Sequence, residues 1–278
     1  MLVNKQIKKP GYRLQPGDMV IGYIIESTDN TDNKNPVAEN ISTDIIFEDT
    51  HILVINKSAG MVVHPANGNL SGTLVNALLY SNPEITGLGE EKNRTGIVHR
   101  LDKDTSGLIV VAKDRQALNF LKKEFRERRV KKKYLALITG NPDQDQGIID
   151  LPVGRHPVKK TIMAVNYDTG KTAVTKWKIK KRFKDACLVE IDLKTGRTHQ
   201  IRVHFYSTGH PLIGERVYTP ARIRKQQKQN KTKQNKNAPR QMLHSSSLSF
   251  IHPYSGHRMY FTSELAQDFV EVMSILTA

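Results

Sequence analysis

Residues 96–114 read GIVHRLDKDTSGLIVVAKD and set two carboxylates, Asp102 and Asp104, beside His99 and Arg100. Acids so placed can bind a cation, move a proton or attack an electrophile. DKDTSG matches the first half of a calcium-binding loop, but the twelfth position, which needs a bidentate Glu, is Lys113. A phosphotransfer aspartate of the DxDxT kind needs an apolar strand running straight into the first Asp, and here His99 and Arg100 intervene. A glycosidase-like acid pair stays open on spacing alone. So does an Asp-rich turn closed by Ser106 and Gly107, the commonest fate of such a string.

Two further strings carry chemistry. Residues 193–214, LKTGRTHQIRVHFYSTGHPLIG, read as a turn leading into a helix. Gln200, Arg202 and His204 fan out around that helix, so only a subset can face one site. Lys131, Lys132 and Lys133 precede Tyr134. Cations next to an aromatic can meet phosphate and base together, although a tyrosine in a strand is often plain core. Gly170-Lys171-Thr172 ends like a phosphate-binding loop, but Val165 stands where the earlier glycine is required. The ten histidines show no HExxH or comparable spacing, so neither a nucleotide loop nor a metal site is expected.

The elements that must position these residues follow from periodicity. Residues 45–47 and 52–56 read as paired short strands, and 107–113 (GLIVVAK) as a buried strand. Residues 70–80 suit a short helix. Asp114 is placed to cap a helix bearing Leu118, Leu121 and Phe125 at helical spacing. Residues 131–139 return as a strand, 172–182 and 186–194 as an antiparallel pair, and 199–207 as a helix. Residues 248–262 form a hairpin about Tyr254-Ser255-Gly256. A terminal helix over 264–276 puts Leu265, Phe269, Val272 and Leu276 on one face. Many strands with a few helices, not strictly alternating, predict an α+β fold with a mixed, mainly antiparallel central sheet flanked by helices.

Composition bounds the rest. The chain has 278 residues, 38% of them hydrophobic, which is enough to build a core. No run approaches the ~18 apolar residues that a membrane span needs. The single cysteine, Cys187, excludes an intrachain disulfide and fits a reducing cytoplasm. Lys and Arg number 43 against 27 acids, and the net charge of +16 points to a polyanion partner. Half of that charge sits in 222–240, RIRKQQKQNKTKQNKNAPR, which reads as a low-complexity insertion forming a polar loop. Residues 26–42, rich in Asn, Asp and Thr, read as a linker ahead of a main domain over 43–278.

HRLDKDTSGL, KKYLAL, VGRHP, TGRTHQIRVH and GHPLIG occur in this order, and together they closely resemble the RluA family of pseudouridine synthases. The resemblance spans about 45–269 and is strongest to the branch that modifies large-subunit ribosomal RNA. It implies a cofactor-independent isomerisation of uridine, with Asp102 as the catalytic carboxylate and Arg202 as its ionic partner. It implies that Tyr134 packs on the target uracil, its hydroxyl a candidate to help remove the C5 proton. By the same resemblance Arg100 flanks the displaced site and Ile201 lines the uracil pocket. Lys131, Lys132, Lys133 and Arg197 are expected to contact RNA. His99, Asp104, Arg197 and His199 are expected to support the active-site turns. Structured RNA is the implied partner, ribosomal RNA ahead of transfer RNA, with no cofactor, metal or membrane, and a monomer is expected. GYRLQPGDMV at 11–20 resembles the tail of a small RNA-binding module shared with a small-subunit ribosomal protein, so 1–25 reads as its remnant. The chain departs from the pattern in its basic insertion, and in Ser245 and Ser246, where the family often has alanine after the histidine. The same residues also admit a non-catalytic RNA-binding protein, or a glycosyl hydrolase using both Asp102 and Asp104.

Overall fold

The computed structural model describes residues 2–7, 12–21, 35–66, 68–89, 94–219 and 238–277. The chain divides into two compact units, Met1–Lys34 and Asn35–Ala278. In the first, strands Leu2–Val3 (β1), Gln6–Ile7 (β2) and Val20–Ile21 (β3) form a small antiparallel sheet in the order β2-β1-β3. The Asp18 carboxylate closes the preceding turn by accepting from Gln15 N (2.9 Å) and from Asn4 Nδ2 (2.7 Å).

The second unit is built on a nine-stranded sheet. Its strands are Asp44–Glu48 (β4), Ile52–Lys57 (β5), Ser106–Ala112 (β6), Lys131–Thr139 (β7), Gln146–Asp150 (β8), Val174–Arg182 (β11), Ala186–Leu193 (β12), Leu243–Ile251 (β13) and Arg258–Thr262 (β14). A separate hairpin joins Val153–Arg155 (β9) to Met163–Val165 (β10). The order is β4-β5-β6-β13-β7-β12-β11-β8, with β14 also on β13. Every pairing is antiparallel except β6 with β13. With helices Leu74–Ser81 (α1), Arg115–Arg126 (α2), Gln200–Ser207 (α3) and Gln267–Thr277 (α4), the fold is α+β.

Strand β6 explains its own sequence. All seven residues are buried, so both faces are covered and the run SGLIVVA needs no alternation. Each such aliphatic side chain contributes about 1.5–3 kcal/mol by leaving water. Gly107, at φ +106°, lies where β6 meets β13; a Cβ there would sit 2.3 Å from the Ser245 carbonyl oxygen. No larger residue fits that approach. Asp114 caps α2 as its spacing predicts, Oδ1 accepting from Ala117 N at 2.8 Å, while Leu118 and Leu121 bury one face. Thr73 and Asn76 cap α1 reciprocally.

Three expectations need correction. The stretch read as a linker divides: 26–34 lie outside the described residues, but 35–42 belong to the second unit. There Val37 O accepts from Asn76 Nδ2 (2.7 Å), and Glu39 N donates to Asn76 O (2.9 Å). Polar composition resembles a linker, yet the backbone groups of this segment find their partners in the first turn of a helix. The basic insertion also divides, since 222–237 lie outside the described residues while Arg240 is buried. Arg240 pairs with Asp268 on α4 (2.7 and 2.8 Å) and donates to Asp104 O (2.9 Å) and Ser106 Oγ (3.1 Å). Strands β8, β9 and β10 were not read from the sequence at all. Leu243–Ile251 begins five residues earlier than the hairpin pattern indicated, because its first half pairs with β6 and β7.

Candidate active site

Asp102 sits in the loop that enters β6, and several backbone contacts fix that loop. Thr105 N donates to Asp102 O (3.0 Å), and Gly60 N to Lys103 O (2.9 Å). Lys57, buried at the end of β5, sends its ammonium to the carbonyls of Ser58 (2.7 Å), Met61 (2.9 Å) and Lys103 (3.1 Å). Burial pushes the Lys57 pKa down to about 7, and three carbonyl acceptors answer its three N–H groups. His99 Nε2 accepts from Val110 N (3.0 Å), and its ring stacks on Phe125 (4.5 Å). Burial brings this imidazole down to about 3, so it is a neutral structural group.

A cleft of about 600 Å³ opens over the loop. Asp102, Arg202, Tyr134, Arg100 and Ile201 all line it, and so do Lys132 and Arg197. Lys131 and Lys133 do not. Side chains alternate along a strand, so Lys132 shares the Tyr134 face of β7 while its neighbours point away. Lys133 instead pairs with Glu190 (3.1 Å), and Lys131 is exposed opposite Ser249. Of the three lysines expected to contact RNA, Lys132 alone lines this cleft. Its ammonium lies 5.7 Å from the Phe125 ring centre, and burial brings its pKa down to about 8. Asp104 does not line the cleft, so the paired-carboxylate reading loses its second acid.

Helix α3 presents Arg202 to Asp102. Arg202 Nη1 donates to Asp102 Oδ2 at 3.0 Å, while Nε and Nη2 bind the Glu215 carboxylate at 2.7 and 2.9 Å. Burial works against this guanidinium, but Glu215 and Asp102 outweigh it and hold its pKa above the ordinary arginine value. Burial would raise the Glu215 carboxyl. Arg202 and the N–H groups of Val217 and Tyr218 overcome that and keep it ionised. Gln200 and His204, one turn apart, bind β11 instead: both reach Thr175 Oγ1 at 2.9 Å. Thus only Arg202 of these three residues reaches the acid.

His199 adopts φ +55° at the start of α3. Its Nε2 faces Asp102 Oδ1 at 3.8 Å, and its Nδ1 lies 2.6 Å from the Tyr218 hydroxyl. Burial lowers its pKa, with Asp102 opposing and Arg202 reinforcing the shift. Tyr134 is buried, and burial pushes its phenol up to about 12 against a hydrogen bond with Ser245. The nearby Asp102 charge adds to the rise. Arg100 is exposed on the cleft wall and Ile201 is buried in it. Arg197 is half-buried and donates to Thr172 O (3.1 Å). Sequence reasoning missed Glu215, Tyr218, Lys57 and Arg240. Glu215 stood directly after GHPLIG, where a charge following an apolar string could have been weighed as a partner for Arg202.

Residues 51–207 match the family model for RNA pseudouridylate synthase. The chain is 42% identical over 260 residues to ribosomal large subunit pseudouridine synthase D of Nitrosomonas europaea, covering 94% of this chain and 72% of that protein. It is 41% identical over 276 residues to the uncharacterized RNA pseudouridine synthase YlyB of Bacillus subtilis, covering 99% and 85% respectively. The fold matches human RNA pseudouridylate synthase domain containing 1 at a TM-score of 0.63 and 24% identity, over 85% of this chain and 95% of that one. Matched by the family model over more than half its length and by these relatives over nearly all of it, the chain belongs to the RNA pseudouridylate synthase family.

Proposed function

We propose that this enzyme isomerises uridines in large-subunit ribosomal RNA and that Asp102 is its catalytic carboxylate. The observation that carries the reading is the Asp102–Arg202 pair in a cleft whose other charged residues are all cations. The reaction breaks the bond from ribose C1′ to uracil N1, turns the base and joins C1′ to C5; C5 releases its proton and N1 takes one up. Atoms balance without any redox change. Asp102 serves as the carboxylate, either at C1′ or at the 2′ proton, with Arg202 as its ionic partner. A uridine in a helix must leave the stack to reach the acid. Tyr134 and Ile201 belong to the apolar part of the cleft, against which its base packs, and a phenol at about 12 stays protonated, so Tyr134 acts by packing and hydrogen bonding. Lys132, Arg197 and Arg100 contact phosphates beside the flipped nucleotide.

The names of relatives such as the Nitrosomonas enzyme favour ribosomal RNA over transfer RNA. With that substrate the protein works in the cytoplasm, as a monomer. Among the described residues no helix is long and apolar enough to cross a membrane. Residues 1–25 belong to a small RNA-binding module. The test uses large-subunit ribosomal RNA and transfer RNA, each tritiated at uridine C5. Release from ribosomal RNA alone, with pseudouridine in the product, is expected. Release from transfer RNA alone would overturn the substrate, and free uracil would overturn the isomerisation.

A further inference from the structure

Arg202 reaches only one oxygen of the Asp102 carboxylate, Oδ2. The other, Oδ1, faces His199 Nε2 at 3.8 Å, and behind that imidazole lies the Tyr218 hydroxyl. We propose that the Tyr218 hydroxyl fixes the tautomer of His199, and that His199 thereby holds the Asp102 carboxylate in its reactive orientation. Both are then positioning residues for the isomerisation. The inference rests on Asp102 being the catalytic acid.

Met163 N donates to the Tyr218 hydroxyl oxygen at 3.0 Å. The phenol proton must therefore go elsewhere, and His199 Nδ1, 2.6 Å away, is in place to accept it. An imidazole that accepts at Nδ1 carries its own proton on Nε2, the atom turned toward Asp102. Burial keeps the ring neutral, so there is one ring proton to place. At 3.8 Å the Nε2–Oδ1 contact is longer than a hydrogen bond, as catalytic contacts commonly are before substrate tightens them.

Two further observations agree. Among the described residues of the second unit, the non-glycine residues at positive φ are Arg128 and His199, and both line the cleft. A conformation suited to glycine here carries an imidazole aimed at the acid. The two arms on Asp102 also share one root. Tyr218 N donates to Glu215 Oε1 (3.3 Å), Glu215 grips Arg202, and the Arg202 guanidinium lies 5.2 Å from the Tyr218 ring centre. The turn at 215–218 therefore aims the donor on each oxygen.

Tyr218→Phe keeps the ring beneath Arg202 and removes only the hydroxyl. Measured by tritium release, its kcat should fall by about ten- to a hundredfold with KM unchanged, the pattern of a misplaced catalytic group. His199→Gln can present an amide N–H where Nε2–H stands and should retain more activity than His199→Phe. Glutamine has no tautomer to set, so adding Tyr218→Phe to His199→Gln should cost nothing further. Wild-type kcat in Tyr218→Phe, beside an inactive Asp102→Asn, would overturn this inference alone. An equal loss from Tyr218→Phe in both backgrounds would also overturn it, since the hydroxyl would then act through Met163 and β10. Activity retained by Asp102→Asn would overturn the proposed catalytic role and this inference with it.

Discussion

Arg202 has to satisfy two carboxylates at once, and its planar fork does so by dividing three nitrogens between Glu215 and Asp102. A lysine ammonium is a point charge on a flexible stem and cannot hold both. Arg202→Lys should therefore lower kcat by about a hundredfold or more, the scale of losing one fixed donor at developing charge. RNA affinity should change little, because the residue is buried. A change in KM with kcat intact would contradict this. Asp102, Arg202, Tyr134, Arg100 and Ile201 were legible because their strings resemble a known family, and the structure brings all five to one cleft. Glu215, Tyr218 and Lys57 were not, because lone polar residues in short strings look like surface until a fold supplies their partners. Arg240 was hidden for the opposite reason, among seven other basic residues in a polar run.

Strand parity decides which basic residues can serve the cleft. On β7, Lys132 follows Tyr134 onto the cleft face, while Lys131 and Lys133 take the other. Lys132→Ala should weaken RNA binding and reduce the slope of log affinity against log salt by about one. Lys131→Ala and Lys133→Ala should leave that slope close to wild type. Equal effects from all three in a filter-binding titration would contradict the assignment. This parity could have been read from the sequence, since the strand and Tyr134 were both recognised. The missed strands had no such signal. Gln146–Asp150 is short and mostly exposed, and it is a strand because β11 supplies its ladder. Periodicity finds buried faces, so β6 and α2 were plain and β8 was not.

For the whole molecule, charge and burial pull in different directions. The basic surface suits RNA, while the interior holds several histidines neutral. Burial pushes His99 down to about 3 and His64 and His244 to about 4, against an unfolded value near 6.5. Below pH 6.5 the unfolded chain binds more protons than the folded one, so stability falls as pH drops from there toward about 4. The loss at pH 5 is on the order of 1–2 kcal/mol per histidine. The melting temperature should drop between pH 7.5 and 5, and a flat profile would count against neutral buried rings.

Tritium release from C5-labelled large-subunit ribosomal RNA, by wild type and by Asp102→Asn, shows whether Asp102 performs the isomerisation. The expected result is release by the wild type and none by a variant that binds the same RNA with the same affinity. Comparable release by Asp102→Asn would contradict the account.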